Sequence, residues 1–286
     1  MMEKIPIRHI NVAQKEPHFS ENFSIRDIHD LLAGKDMVQE LHRHDFFYIL
    51  ALKKATGNHD IDFIRYAVRD NSIFFMRPGQ VHKLLLKAGT TGYLMQFRDG
   101  FYFPHDKVSG QLLYKASYVS HYQLNTNEFQ KLLAILTYIF QEYTGKPERY
   151  EEVIKASMSI FFIGLIRQYS KRPSDSINLY TQERLEAFLT LVETHGFNHK
   201  QVSQYAAMLN LSIYQLNAIT KTMLGKTCSE LINEYIILEA KRYLLVTSNQ
   251  VNQIAGHLGY EDVSYFIRFF KKHTGYSPAV FRHNFT

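Results

Sequence analysis

Two groups of side chains in this 286-residue chain have types and spacings that could do chemistry. In the first, His42 and His44 flank Arg43, and His82 closes the run Pro78-Gly79-Gln80-Val81-His82. Residues two apart on a strand share a face, so a His-x-His pair and one distant His can bring three imidazoles to one point, a first shell suited to zinc or iron. The same rings could instead hydrogen-bond within the fold or line a ligand pocket. In the second group, Arg268, Lys271, Lys272 and Arg282 crowd the C-terminal end. Such a cluster suits nucleic-acid phosphates and base edges, and its plainer alternative is a solvated face.

The cationic group lies in residues 254–282, whose punctuation predicts helix, tight turn, helix. Ile254, Ala255 and Leu258 are apolar at helical spacing, and Gly259 tolerates the left-handed conformation that closes a helix. Glu261 and Asp262 suit the positive end of the next helix. Phe266, Phe269 and Phe270 fall at i, i+3, i+4 for burial, which turns Arg268, Lys271 and Lys272 elsewhere. Gly275 stops this helix and Pro278 opens another turn. Basic side chains on the outer face of a second helix are the layout that enters a DNA major groove.

The order Ile-Ala, Gly-Tyr, Ser264-Tyr265-Phe266, Arg268-Phe269-Phe270-Lys271-Lys272, Gly275, Pro278 and Phe281-Arg282 closely resembles the signature of the AraC family of bacterial transcription regulators. The resemblance covers the C-terminal third and implies two helix-turn-helix motifs in one chain. An internal repeat answers that expectation. An offset of 49 lays Tyr205 to Asn210 on Ile254 to Gly259, and past the turn an offset of 50 lays Leu216 on Phe266, Lys221 on Lys271 and Gly225 on Gly275. The second copy therefore has one extra residue in its turn. Between the copies, Ser229 to Thr247 reads as one helix, about 30 Å long at about 1.5 Å per residue. Major-groove openings on one DNA face lie about 34 Å apart, so this connector could set both reading helices on one side of the duplex.

The expected DNA-contacting residues are Ser264, Tyr265, Arg268, Lys271, Lys272 and Arg282 in the second copy, with Ser212, Tyr214, Gln215, Asn217 and Lys221 in the first. The first copy departs from the family pattern, which usually has Arg near Ala218 and Phe near Thr220. Gln215, Asn217 and Lys221 must then carry more of any contact, and Gln or Asn suits adenine where Arg suits guanine. Ser212 also reads as a helix N-cap, and Tyr214 could pack on the connector instead of facing DNA.

The net charge of +6 does not locate this site: ten Lys and Arg against eight Asp and Glu follow Thr181, while the preceding part holds 23 against 19. The single Cys228 excludes an internal disulfide and fits a reducing, cytoplasmic setting. The opening MMEKIPIRHI is polar and does not read as a signal segment, and Ile160 to Ile166 is far short of the roughly 18 residues of a membrane span.

Before about residue 120 the chain reads as short strands, at 46–52, 62–68, 72–76, 83–86 and 92–97, parted by Gly, Pro and Asn turns. This predicts an antiparallel sandwich or small barrel. His42-Arg43-His44 and Pro78 to His82 are similar to the two cupin motifs, which fits the sensing domain many AraC-family proteins carry. Metal-binding cupins usually add a Glu after the second His, where this chain has Phe47, Tyr48 and Ile49. The expectation is therefore no metal, no cofactor and no catalytic residue, with His42, His44, Tyr48, His82 and Tyr93 lining a ligand pocket if strand register turns them inward.

Two amphipathic helices follow. By the resemblance they form a dimerising hairpin, with Leu132, Leu136, Ile139 and Phe140 on its face. The expected fold is α+β and multidomain: a cupin-like antiparallel β-barrel over 1–122, a helical hairpin over 123–172, a linker over 173–180, and an all-α double helix-turn-helix over 181–286, with Thr181 as N-cap of its first helix. The expected function is a homodimeric, effector-tuned regulator that binds double-stranded DNA, with RNA polymerase as a further partner and no membrane association. A metal-dependent cupin enzyme with a helical appendage and a helical protein-interaction adaptor are the rival readings.

Overall fold

The computed structural model describes residues 5–8, 10, 22–102, 107–169 and 179–285. Of the expected linker over 173–180, residues 173–178 lie outside the described residues, while Leu179 and Tyr180 already belong to a helix. The chain divides into two compact units, one spanning residues 6–173 and one containing residues 174–286.

The N-terminal unit runs β1 (Ile7–Arg8), β2 (Phe23–Asp27), α1 (Ile28–Leu32), β3 (Met37–His44), β4 (Phe47–Lys54), β5 (Gly57–Ile61), β6 (Ile64–Val68), β7 (Ser72–Met76), β8 (Val81–Leu86), β9 (Thr91–Phe97), α2 (Asp99–Tyr102), α3 (Lys107–Ser117), β10 (His121–Gln123), α4 (Thr126–Gly145) and α5 (Tyr150–Tyr169). The strands form two five-stranded sheets, ordered β1-β3-β8-β5-β6 and β10-β7-β4-β9-β2. Every pairing is antiparallel except the short parallel contact of β1 with β3. The barrel expected from sequence is thus two separate sheets packed face to face.

Period-two alternation explains how β4 can be buried on both sides. Tyr48, Leu50 and Leu52 join Phe74, Met76, Leu84 and Leu86 in the core between the sheets. Phe47, Ile49 and Ala51 point the other way, into a core shared with Leu132, Leu136 and Ile139 of α4 and Met158, Phe161 and Leu165 of α5. This overturns the dimer-face assignment of Leu132, Leu136 and Ile139, which are buried inside the unit, while Phe140 packs on Tyr93 at 5.4 Å. The amphipathic stripe was real, but the surface it covers is a sheet of the same chain.

The C-terminal unit is all helix: α6 (Leu179–His195), α7 (Val202–Met208), α8 (Ile213–Leu224), α9 (Cys228–Val246), α10 (Val251–His257), α11 (Val263–Thr274) and α12 (Pro278–Phe285). Thr181 falls inside α6 and is not its N-cap. The α7–α8 and α10–α11 pairs repeat the same frame, with Asn210 taking left-handed φ 53° where the second copy has Gly259 at φ 72°. Four residues separate α7 from α8 and five separate α10 from α11, the one-residue difference read from the repeat.

Gly259 is under two constraints at once. Its φ is positive, and a Cβ there would stand 2.0 Å from the backbone oxygen of Phe197. Gly259→Ala is expected to lower the stability of the C-terminal unit by more than about 1 kcal/mol, read as an earlier thermal transition.

Candidate functional site

Helix α11 is built to present one face outward. Asp262 caps it, accepting from the backbone N–H of Ser264 at 2.7 Å and of Tyr265 at 3.2 Å. Phe266 and Phe270 are fully buried, and Phe270 meets Phe281 of α12 edge-on at 5.4 Å. With that stripe fixed inward, Ser264, Tyr265, Arg268, Lys271 and Lys272 are all exposed. The spacings 264, 268, 271 and 265, 268, 272 put these groups on one face of the helix. None of the three cations forms an ion pair among the described residues.

Helix α8 offers a different surface. Tyr214, 83% exposed, occupies the place of Ser264, and the exposed Lys221 occupies that of Lys271. Ala218 stands where α11 has Arg268, and exposed Thr222 where it has Lys272. This face thus holds one cation against three.

The two copies are fastened together through the turn of the second. The Lys200 ammonium donates to the carbonyls of Phe197 at 2.6 Å and Gly259 at 2.9 Å, and it lies 4.7 Å from the Tyr260 ring centroid. Its partial burial lowers the ammonium's pKa from its ordinary value. This lysine joins the loop before α7 to the turn before α11.

In the N-terminal unit, the imidazoles of the first group do meet. Nε2 of His82 lies 2.8 Å from Nε2 of His44 and 3.0 Å from Nε2 of His42, all three rings being buried. A bulge makes this register. Between Gln39 and His42 strand β3 gains one residue against β8, so the inward set changes from Met37 and Gln39 to His42 and His44. Asp62 holds the loop entering β8, accepting from Val81 N–H at 3.2 Å and the Gln80 amide at 2.8 Å. Tyr48 stacks on His44 at 5.3 Å.

Tyr93 is not part of this cluster. On β9 it shares parity with Met95 and Phe97, facing the helices, whereas Leu94 faces the sheet-to-sheet core. The sequence reading also missed His59, whose Nε2 lies 2.8 Å from Nδ1 of His82. It sits on β5, which falls between the expected strands at 46–52 and 62–68, although buried His59 and Ile61 alternate with Asn58 and Asp60 in a strand-like way. Burial holds the His59 pKa down to about 3, with His121, His44 and His42 adding to the effect, and burial also lowers that of His121. His59 is therefore neutral in the folded chain.

Residues 205–284 match the family model described as a helix-turn-helix domain. Those residues form a helix-turn-helix region. The whole chain is similar to the HTH-type transcriptional activator RhaS of Pectobacterium carotovorum, 24% identical over 85% of this chain and 87% of that protein. It is likewise similar to the uncharacterized HTH-type transcriptional regulator YfiF of Bacillus subtilis, 24% identical over 85% of this chain and 78% of that protein. A solved structure of ToxT from Vibrio cholerae aligns with a TM-score of 0.42 at 16% identity, covering 93% of this chain and 99% of that one.

Within this region, four of the expected contact residues have structural work. Arg282 turns inward, its guanidinium donating to the carbonyls of Leu244, in the last turn of α9, at 2.8 Å and of Thr247 and Asn249, just beyond it, at 3.3 and 2.7 Å. The Asn217 amide is spent likewise: its Nδ2 donates to Ile213 O at 3.1 Å, and its Oδ1 accepts from Cys228 N–H, at the start of α9, at 3.0 Å. Gln215 and Ser212 form a capping box, each accepting from the other's backbone N–H at 2.9 and 3.1 Å. A bidentate contact from Gln215 to adenine would have to break that box.

Two substitutions separate these roles. Arg282→Ala should cost about 1 to 3 kcal/mol of stability and Asn217→Ala about 1 kcal/mol, both read as lower melting temperatures. The salt dependence of DNA binding should stay unchanged in both, because both side chains are engaged by backbone groups of the chain itself.

Acid should weaken the N-terminal unit. With chelator present, His59, ordinary pKa 6.5 and about 3 when folded, contributes stability that is full above pH 6.5 and is lost as pH falls toward 3. Denaturant midpoints should therefore drop between pH 7 and pH 5.

Proposed function

We propose that this chain is a sequence-specific DNA-binding transcription regulator whose N-terminal unit senses a ligand. The observation that carries the reading is the outer face of α11, where Arg268, Lys271 and Lys272 stand exposed on a helix held from behind by Phe266 and Phe270. The first copy of the same frame, α7 and α8, supports it. So do the names of the relatives, which are transcriptional regulators.

In this reading α11 supplies most of the phosphate attraction and a guanine-directed Arg268, while Tyr214 and Lys221 of α8 read a second, less charged patch. The regulator acts in the cytoplasm; no helix among the described residues is long and apolar enough to cross a membrane. It works as a homodimer and touches RNA polymerase. Exposed Tyr138 on α4 and Ile160 and Ile163 on α5 favour the outer side of the hairpin for pairing, instead of the buried stripe. Ligand and DNA must then alter each other's affinity by the same factor.

Recovery of genomic fragments bound by the purified chain would give the operator, on which two variants separate contact types. Arg268→Ala should relax the preference at one or two base pairs and cost about 1 to 3 kcal/mol. Lys272→Ala should weaken all sequences alike and flatten the slope of log affinity against log salt by about one. Binding unaltered in both variants would remove α11 as the reading helix.

A further inference from the structure

The histidine cluster between the two sheets has a feature that neither packing nor an organic ligand accounts for. A neutral imidazole carries one N–H, yet His82 faces three ring nitrogens: Nε2 of His44 at 2.8 Å, Nε2 of His42 at 3.0 Å and Nε2 of His59 at 2.8 Å. The His42 tautomer is set from outside the cluster. Its Nδ1 lies 2.6 Å from the carbonyl oxygen of Glu40, which can only accept, so the proton sits on Nδ1 and Nε2 presents a lone pair inward. The Nε2 atoms of His42, His44 and His82 therefore converge, all within 4.8 Å of one another, in a place closed to water.

We propose that His42, His44 and His82 bind one divalent first-row transition-metal ion through their Nε2 atoms, and that His59 orients the third ligand. Size selects an ion over an organic molecule. Ring nitrogens of His44 and His42 already 2.8 and 3.0 Å from that of His82 leave no room between them for a carbon skeleton. Tetrahedral zinc with nitrogens at about 2.0–2.1 Å needs them about 3.3–3.4 Å apart, an opening of a few tenths of an ångström. Chemistry selects the ion class: three neutral imidazoles suit zinc, cobalt or iron(II) and are poor ligands for magnesium or calcium. Two of the three rings have an acceptor at Nδ1, the Glu40 carbonyl for His42 and Nε2 of His59 for His82, as ligating histidines require to point Nε2 at a metal. His59 does not belong to the His-x-His and distant-His pattern, and only the strand pairing of β5 with β8 brings it there.

The test uses the full chain without an affinity tag, stripped by chelator and titrated with cobalt(II) while visible absorption is followed, with bound metal measured after gel filtration. The expected result is saturable uptake of one equivalent, with cobalt absorption bands changed from those of the free ion by imidazole ligation and displaced by zinc. His44→Ala and His82→Ala should each abolish it. His59→Leu should keep the one-to-one stoichiometry and weaken binding about 10- to 100-fold, and His273→Ala, on α11, should change nothing. Absence of one-equivalent uptake by the unaltered chain would overturn the proposal whatever the variants do, as would uptake that survives His82→Ala. DNA binding by the same sample is a separate readout, so failure here leaves the regulator reading standing and the reverse holds too.

Discussion

Two reading helices in one chain are useful only if the element between them is held as a rigid piece, and the C-terminal unit clamps that element at both ends. At its start, the Asn217 side chain from α8 accepts the N–H of Cys228, and Thr227 and Glu230 form a capping box. At its far end, Arg282 from α12 gathers the carbonyls of Leu244, Thr247 and Asn249. Each motif thus lends one polar side chain to an end of α9, satisfying groups that a helix leaves unpaired at its termini. Lys200 adds a third tie, from the loop before α7 to the Gly259 turn. The 19 residues of α9, about 28 Å at 1.5 Å per residue, become a spacer of fixed length.

Those clamps also explain why the repeat was legible in the sequence and several contact residues were not. Apolar spacing and turn residues are local properties, so α7, α8, α10 and α11 could be laid on one another from Tyr205, Leu216, Ile254 and Phe266 before any coordinates. An Arg or Asn side chain is different. Arg282 and Arg268 are the same residue type a few turns apart, and only the position of the α9 carbonyls decides that one is structural while the other faces outward. Asn217 was taken as a base reader for the same reason, since its two partners lie four residues back and eleven ahead.

In the N-terminal unit the limit was register. The strands around Tyr48, Phe74 and Met95 were legible from aromatic and β-branched content, but the bulge in β3 that turns His42 and His44 inward has no composition signal. Parity within β9 sends Tyr93 toward the helices, and a Gly-Asn start disguised the strand that carries His59. The helical stripe of α4 was read correctly as apolar. What lay beneath it, a sheet of the same chain, is a long-range fact that period alone does not contain.

The claim at the centre is that a fixed spacer holds the two readers at one separation, and it is tested most directly by varying the distance between the two halves of the bound DNA site. With the operator in hand, insertion of about 5 base pairs turns one half to the opposite face of the duplex, and insertion of about 10 restores the face while moving it about 34 Å. A clamped α9 predicts that both insertions reduce affinity to that of a single half-site. Affinity that survives either insertion unchanged would contradict it.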